Sequence, residues 1–237
     1  IVAERKDTLQ NRNAKDNYFA EYVELTGQQN FLNAGQNYAL LEGMKANLYK
    51  CFLPLAWGIG TLKGVSAFIH PDGVYDDPKG GLLREEIYAR LCYHFQFRNE
   101  LSLFAEVAHQ AIYSINVYCN KKQIGFKTMS NLFAVKTIDE SFEHSGKGNI
   151  PNIKDEFGWC TKGHLGRIVN IDKKKLALFG KLFDNGITYS QARMPVIHGK
   201  VVAEILEKIG NYPTTIRSEK VIEQSTVMWD ETKSQKE

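Results

Sequence analysis

The pattern of apolar and polar positions predicts an α/β region in the middle of the chain, over residues 64–118. Residues 65–69 are apolar and bounded by turn residues, which is typical of a strand buried on both faces. A loop rich in Gly, Pro and Asp follows, and apolar residues at four-residue steps over 82–91 then indicate a helix. Residues 93–97 and 114–118 alternate in polarity and carry strand-forming side chains, so we expect two further strands there.

The segment before this region is predicted to be polar at first and helical afterwards. Residues 1–34 are polar and mixed in charge, with a helical tendency at 20–25 that we expect Gly27 to break. Over residues 37–57 the apolar side chains recur at three- and four-residue steps, which predicts an amphipathic helix.

The segment after it opens with a flexible, polar linker. With this linker as a boundary, the chain has three zones, 1–34, 35–142 and 143–237. In the third zone we expect a strand at 167–171 and helices at 173–182 and 196–209.

Composition places the chain among ordinary globular proteins. It has 237 residues, 43% hydrophobic residues and a formal net charge of +3, so any nucleic-acid surface is expected to be a local patch. The longest apolar stretch, near 51–59, is too short to span a bilayer, and Pro54 interrupts it, so no membrane partner is expected. The chain begins without Met, and we interpret it as a section of a longer polypeptide.

Cysteine spacing indicates the compartment. Four widely spaced cysteines form no Cys-x-x-Cys pair, and no secretory signal is visible. Buried thiols in a reducing cytosol are therefore favoured over a disulfide framework or a zinc site, and a cytoplasmic location is expected. The six histidines lie far apart in the sequence, so we expect no metal.

Two short motifs have competing interpretations. Residues 58–64, Gly-Ile-Gly-Thr-Leu-Lys-Gly, resemble a dinucleotide-binding loop, but the third Gly comes one place late and the motif follows a predicted helix. A turn that ends the helix is favoured, and phosphate binding stays open. The adjacent carboxylates Asp76 and Asp77 are candidates for a functional acid pair, although adjacent carboxylates in such a loop more commonly form a turn or cap a helix.

Several longer blocks carry a family resemblance. They are NLYKCFLP (47–54), GVSAFIHPDGVYDDPKGGLLREEIYARL (64–91), NELSLFAEV (99–107) and SINVY (114–118). In this order they resemble the N6-adenine DNA methyltransferases of bacterial restriction–modification and BREX-type phage-defence systems. The resemblance implies an α/β fold: the later half of a Rossmann-like S-adenosylmethionine-dependent methyltransferase sheet, followed by a mostly helical connector. Residues 1–34 are then a polar lead-in, 35–142 a partial methyltransferase domain and 143–237 the connector toward a target-recognition region.

The same resemblance implies an enzyme that flips an adenine out of double-stranded DNA and methylates its exocyclic nitrogen. S-adenosylmethionine is the implied cofactor of the parent enzyme, and restriction or defence-system subunits are possible further partners. Two family elements, a Phe-x-Gly-x-Gly loop and an Asn-Pro-Pro-aromatic motif, hold the cofactor and the adenine amine. This sequence contains neither. We expect both upstream of Ile1 and expect the 237 residues alone to be inactive.

The resemblance also assigns a target-base pocket. His70, Asp72 and Tyr75 follow strand 65–69, which would stand beside the strand with the Asn-Pro-Pro motif, and they would open into the active-site crevice. A connecting loop shaped only by Gly and Pro is the alternative. His109 lies where relatives place a planar side chain against the flipped base, whereas Phe104 is expected in the core.

Four basic residues are candidate DNA contacts. Lys79 and Arg84 stand at the start of the helix predicted at 82–91, where backbone N–H groups assist phosphate binding. Lys122 and Lys127 belong to a loose basic set after the last strand of the central region. For both pairs, a solvated surface is the competing interpretation.

Three other functions stay open. The first is a non-catalytic DNA-recognition or specificity module in which the fold serves only as a scaffold, and the second is the methylase portion of a fused restriction endonuclease. An unrelated α/β enzyme of small-molecule metabolism is the third.

Overall fold

A computed structural model describes residues 10–45, 47–61, 63–119 and 123–214 of the chain. Its α-helices are α1 (Arg12–Asn33), α2 (Leu48–Ile59), α3 (Gly81–Arg90), α4 (Lys136–Glu143), α5 (Lys173–Phe183) and α6 (Lys200–Gly210). Its strands are β1 (Val65–Pro71), β2 (Leu91–Arg98), β3 (Ile112–Cys119), β4 (Phe126–Leu132), β5 (Lys154–Asp155), β6 (Gly158–Trp159) and β7 (Val169–Ile171).

Five of the strands form one mixed sheet in the order β1-β3-β2-β4-β7. The β3 strand runs antiparallel between β1 and β2, β4 is parallel to β2, and β7 is antiparallel to β4. The carboxyl ends of β1, β2 and β4 therefore meet at one edge of the sheet. The α/β class is confirmed in this mixed form, and the elements predicted within residues 64–118 are all present. The β7 strand comes from the third predicted zone, yet it pairs with β4 of the second.

The two faces of the sheet carry cores of unequal size. On the first face α3 and α5 bury a large core that includes Leu83, Ile87, Leu176 and Phe179. On the second face a smaller core surrounds Phe97, Met129 and Leu132, and Ile138 of α4 packs against it. This second core lies against β2, β3 and β4, and none of its residues belongs to β1.

The β1 strand is an edge strand, which corrects the prediction of a strand buried on both faces. It pairs with β3 along one side only, within the residues that the structure describes. Val65 and Ile69 are 67% and 59% exposed, and they alternate with Phe68 and His70, which contact Tyr118 on the covered face. The short apolar run predicted the strand, but burial depends on neighbours that the run itself does not encode.

Two helix predictions need correction. The helix expected over 37–57 begins only at Leu48, because Gly43 turns the chain with a φ of +78° and the Asn47 side chain caps α2 by accepting from the Tyr49 N–H. Gly27 was expected to break a helix, yet α1 continues through it. A single interior Gly costs a helix only about 1 kcal/mol.

The β4 strand was absent from the sequence prediction because half of its buried residues are polar. Thr128, Ser130 and Asn131 are each at most 5% exposed. Thr128 bonds to a histidine on β2, and the carbonyls of Ser130 and Asn131 accept from the buried Arg167 guanidinium at 3.1 and 3.0 Å. Hydropathy does not reveal a strand whose buried polar groups are satisfied by tertiary partners.

Cys92 and Cys119 form a disulfide between β2 and β3, which corrects the expectation of four free thiols. The antiparallel register places Leu91 opposite Tyr118, and a bulge follows at Cys92, so the two cysteines become neighbours. Cys51 and Cys160 are free and buried, as expected. Within the described parts of the chain, no helix is both long and apolar enough to cross a membrane.

Candidate functional site

A buried polar network lies at the carboxyl edge of β1 and β2, the edge at which open α/β sheets bind ligands. It begins at the short 3-10 turn Asp72–Tyr75, which directly follows β1. The structure thereby brings together His70, Asp72 and Tyr75, three of the four residues predicted for a base pocket. All three side chains point into the protein, so they stabilise this edge of the sheet through internal hydrogen bonds.

Asp72 is held by two side chains of β2. Its Oδ1 accepts from His94 Nε2 at 2.9 Å and its Oδ2 accepts from Gln96 Nε2 at 2.6 Å. Burial by itself raises the pKa of Asp72, but the charge and hydrogen bond of His94, with the hydrogen bonds of Gln96 and Ser114, outweigh it and lower the pKa to about 2. Asp72 is therefore an ionised carboxylate with both oxygens engaged.

His70 heads the second branch of the network. Its Nδ1–H donates to the Pro71 carbonyl at 2.9 Å, so the neutral ring accepts at Nε2 from Asn116 Nδ2 at 3.0 Å. The Asn116 amide oxygen in turn accepts from the Tyr75 hydroxyl at 2.6 Å. Burial lowers the pKa of His70, which favours this neutral form, and Tyr49 stacks on the ring at 5.0 Å.

The line Thr128–His94–Asp72 has the spacing of a nucleophile–base–acid triad. Thr128 Oγ1 lies 2.8 Å from His94 Nδ1, on the opposite side of the ring from Asp72. However, Thr128 is only 2% exposed, so its hydroxyl is not positioned to attack a substrate. The arrangement instead ties the turn after β1 to β2 and β4.

His109 lies apart from this network, on the exposed loop between β2 and β3. Its side chain is 62% exposed and its Nδ1 lies 3.1 Å from Glu100 Oε2. Phe104 was expected in the core, but it is 43% exposed, and its ring meets that of Tyr113 in a T-shaped arrangement with 5.1 Å between ring centroids. The loop thus presents both planar side chains at the same edge of the sheet.

Asn99 shapes that loop. Its Nδ2 donates to the carbonyls of Phe104 and Val107, each at 2.8 Å, and its Oδ1 accepts from the Phe104 N–H at 3.0 Å. The side chain is fully buried. Hydrogen bonds from this one amide take the place of the regular ladder that a hairpin would supply, so the exposed loop has a fixed form.

The predicted DNA contacts are dispersed. Arg84 is 1% exposed, and its guanidinium donates to the carbonyls of Val74, Asp77 and Gln191, so it is not positioned to meet a phosphate. Lys79 is exposed at the carboxyl edge, whereas Lys127 starts β4 at the opposite edge, with its Nζ 5.4 Å from the Phe142 ring centroid. Lys122 lies outside the described residues.

Sequence reasoning missed His94, Gln96, Asn99 and Asn116. A signal for the first two was present, because they alternate with Tyr93, Phe95 and Phe97 and so share one face of a predicted strand. A central strand of an α/β sheet is buried on both faces, so two polar residues on one of its faces indicate a buried network. Asn99 and Asn116 carried no such signal, since their partners are distant backbone and side-chain groups.

The network does not fit a cofactor site. The side chain of Asp72 is only 12% exposed and its oxygens already accept from His94 and Gln96, so it is not presented to the ribose hydroxyls of S-adenosylmethionine, and we derive no step through that cofactor. Among the described residues, no group of three or more His, Cys, Asp or Glu side chains is arranged to hold a metal ion. No protein-family model matches the sequence, and no curated protein does either.

Proposed function

We propose that this chain is part of a site-specific DNA methyltransferase that transfers a methyl group from S-adenosylmethionine to N6 of adenine. The observation that carries the proposal is the side of β1 that has no partner strand among the described residues, next to the turn that holds His70 and Asp72. The family resemblance of blocks 47–54, 64–91, 99–107 and 114–118 expects the strand with the Asn-Pro-Pro-aromatic motif to lie against this side.

The surroundings of β1 support an added strand. Its sequence, VSAFIHP, carries no Lys, Arg, Asp or Glu, which are the residues that usually protect an edge from further pairing. Apolar side chains are exposed on both sides of the strand: Val65 and Ile69 on one face, and on α2 near the other face Leu48, Phe52, Leu55 and Ile59. An added strand, together with apolar residues that cover it, would bury these side chains. Each Å² of apolar surface removed from water would stabilise the fold by about 25 cal/mol.

In this proposal the network is a rigid support for the base pocket. His70, Asp72 and Tyr75 hold the turn after β1 in place through internal hydrogen bonds and leave contacts with the adenine to other groups. The loop shaped by Asn99 supplies the stacking surface, with Phe104 and His109 as the two planar side chains. Stacking on a planar side chain offsets part of the free energy of flipping the base, by about 1–3 kcal/mol.

The sequence test is direct. We expect the longer reading frame to encode Phe-x-Gly-x-Gly and Asn-Pro-Pro-aromatic motifs N-terminal of Ile1. The polypeptide expressed from that frame should transfer labelled methyl groups from S-adenosylmethionine to DNA, with N6-methyladenine as the product by mass spectrometry. Motifs that are missing there, or a methylated cytosine as the product, would remove the basis of the proposal.

The site test uses that same polypeptide. Phe104→Ala and His109→Ala should each lower methylation of paired adenine, and less so when the target adenine is mismatched, since a mismatched base is easier to flip. Leu101→Ala is the matched control, because Leu101 is exposed on the same loop and is not planar. Equal losses in all three variants would contradict a stacking role.

A further inference from the structure

The α6 helix carries apolar side chains on two sides, and only one side is covered. Ala203, Leu206 and Gly210 face the protein, where α6 packs against α5 and the turn at 165–167. On the other side, five apolar side chains on α6 and just beyond it are between 37% and 67% exposed. They form the α6 ridge: Val201, Val202, Ile205, Ile209 and Tyr212. An exposed apolar stripe along three turns of a helix is typical of an interaction surface.

The ridge belongs to the β7 edge of the sheet. Val169 and Asn170 of β7 line one surface depression together with Lys200 and Glu204 of α6. In the order of the sheet, β7 is the edge strand at the opposite end from β1. A partner on α6 therefore leaves β1 free for the added strand of the proposed methyltransferase, and the two contacts are independent.

Charged side chains follow the ridge along one flank only. Lys200, Glu204 and Lys208 recur at four-residue steps and form one exposed row. On the other flank the ridge continues into the covered side of the helix at Leu206. Among the described residues, α6 forms an ion pair through Glu207 and none through Glu204 or Lys208. The charges of this row are therefore available to a partner.

We propose that the α6 ridge binds the α6 ridge of a second copy of this chain, with the two helices antiparallel about a two-fold axis. Residues at equal distances before and after such an axis lie at the same level. With the axis at Leu206, Glu204 and Lys208 of the partner subunit are each two residues from it, on the same flank. Opposite charges therefore meet, and the symmetry makes this contact twice.

The same axis also fits the apolar side chains. Val201, Ile205 and Ile209 are spaced by about 6 Å along the helix, since each residue rises about 1.5 Å. About an axis at Leu206, the same row of the partner is offset by about half of that spacing. The side chains of the two copies therefore interdigitate without facing one another directly.

The charged row excludes other arrangements. In a parallel pair it would lie against the apolar flank of the partner, and Glu204 would have no cation opposite it. A nucleic acid would meet the carboxylate of Glu204 between two lysines, and the row has only one net positive charge. The antiparallel pair satisfies both signs, and a two-fold contact closes at the dimer.

The size of the ridge sets the expected affinity. Two ridges bury on the order of 1,000 Å² together, the lower end of the range for specific interfaces. Sedimentation velocity of the full chain should therefore show a monomer–dimer equilibrium with a dissociation constant between about 1 and 100 µM.

The first test changes the centre of the ridge. Ile205→Lys should weaken the dimer at least about tenfold, because it places a charge in the apolar contact of both copies. The residue is 49% exposed in the single chain, so urea unfolding of the monomer should be unchanged. Phe52→Lys is the matched control, since Phe52 is similarly exposed on α2, and it should keep the dimer.

The second test exchanges the charges. Glu204→Lys and Lys208→Glu each turn two attractive contacts into two repulsive ones, so each variant alone should associate at least about tenfold more weakly. An equimolar mixture of the two variants should regain the parent affinity to within about threefold, because every contact in the mixed dimer again joins opposite charges. A role of these residues inside one copy would give no such recovery.

The proposal is overturned by a parent chain that stays monomeric at about 500 µM, by a dimer that survives Ile205→Lys, or by an equal loss in Phe52→Lys. It is also overturned if the mixed charge variants associate no better than each one alone. A monomeric parent chain whose stability falls in Ile205→Lys would show that the ridge is covered within a single copy.

Discussion

The Nε2 atom of His94 lies 2.9 Å from Oδ1 of Asp72, in a part of the molecule where the histidine is 1% exposed. Since a carboxylate only accepts hydrogen bonds, His94 donates from Nε2 to Asp72, and its Nδ1 faces Thr128 Oγ1 at 2.8 Å. One ring thus joins three segments of the fold: the turn after β1, the β2 strand and the β4 strand.

Asp72→Asn should remove part of the acid sensitivity of the fold. The pKa of Asp72 is lowered to about 2 in the folded protein, compared with about 3.9 in an unfolded chain. The ionised carboxylate therefore stabilises the fold above about pH 4, and this contribution, about 2 kcal/mol, is lost as the pH falls from about 4 to about 2. Urea unfolding at several pH values should show a shallower decline in the free energy of unfolding for the variant.

Asp76→Asn is the control for that measurement. Asp76 is a neighbouring carboxylate whose side chain is exposed, with Arg193 3.6 Å away as its ion-pair partner. Exposed ion pairs contribute little to stability, so this variant should keep the pH dependence of the parent chain. If the two variants decline with pH alike, the lowered pKa of Asp72 is not the source of the effect.

Arg84→Ala should destabilise the protein strongly. The Arg84 guanidinium donates to the Val74 carbonyl at 3.2 Å and to the Gln191 carbonyl at 3.0 and 2.9 Å, and each of these groups is at least partly buried. Removing the donor leaves carbonyls unsatisfied, at about 1–3 kcal/mol each, so we expect a loss of about 3 kcal/mol or more in urea unfolding. Lys79→Ala, at an exposed position nearby, should change the stability by about 0.5 kcal/mol at most.

The sequence predicted those features of the fold that are local. The α3 helix and the β2 and β3 strands followed from the period of their apolar residues, and the structure places them within two residues of the expected bounds. The position of β1 in the sheet did not follow, because a short apolar strand has the same sequence pattern at the centre of a sheet and at its edge.

The site depends on contacts that no local pattern encodes. Asp72 and His94 are 22 residues apart, and Arg84 and Gln191 are 107 residues apart. Arg84 was therefore predicted at the surface, where most arginines lie, although its partners bury it. The disulfide was missed for a related reason, since the spacing of Cys92 and Cys119 says nothing about the strand register that makes them neighbours.

Replacing both cysteines of the disulfide should lower the stability of the oxidised chain. The bridge closes a segment with a sequence separation of 27, which in the chain-entropy model stabilises the fold by about 3.5 kcal/mol. We expect Cys92→Ser combined with Cys119→Ser to lose a comparable amount in urea unfolding. In the oxidised, unfolded parent chain two thiols, those of Cys51 and Cys160, should react with a thiol reagent. Four thiols without prior reduction would exclude the bridge.

Asn99→Asp should loosen the loop that presents Phe104. Asp keeps the oxygen that accepts from the Phe104 N–H at 3.0 Å, but it puts a second oxygen where Nδ2 now donates to the Phe104 and Val107 carbonyls. Oxygen then faces oxygen in a buried position, and both carbonyls lose a donor. The loop should therefore open locally while the sheet stays folded, since the lost bonds all lie within the loop.

Hydrogen exchange separates this local effect from global unfolding. The Phe104 amide should exchange at least about tenfold faster in Asn99→Asp, which corresponds to about 1.4 kcal/mol in the local opening equilibrium. Amides of the central β2 and β3 strands should change less, because their exchange follows opening of the sheet. Asn152→Asp makes the same chemical change at an exposed position and should leave the Phe104 amide unaffected. Equal acceleration in the loop and in β2 would show instead that Asn99 stabilises the whole domain and not the loop alone.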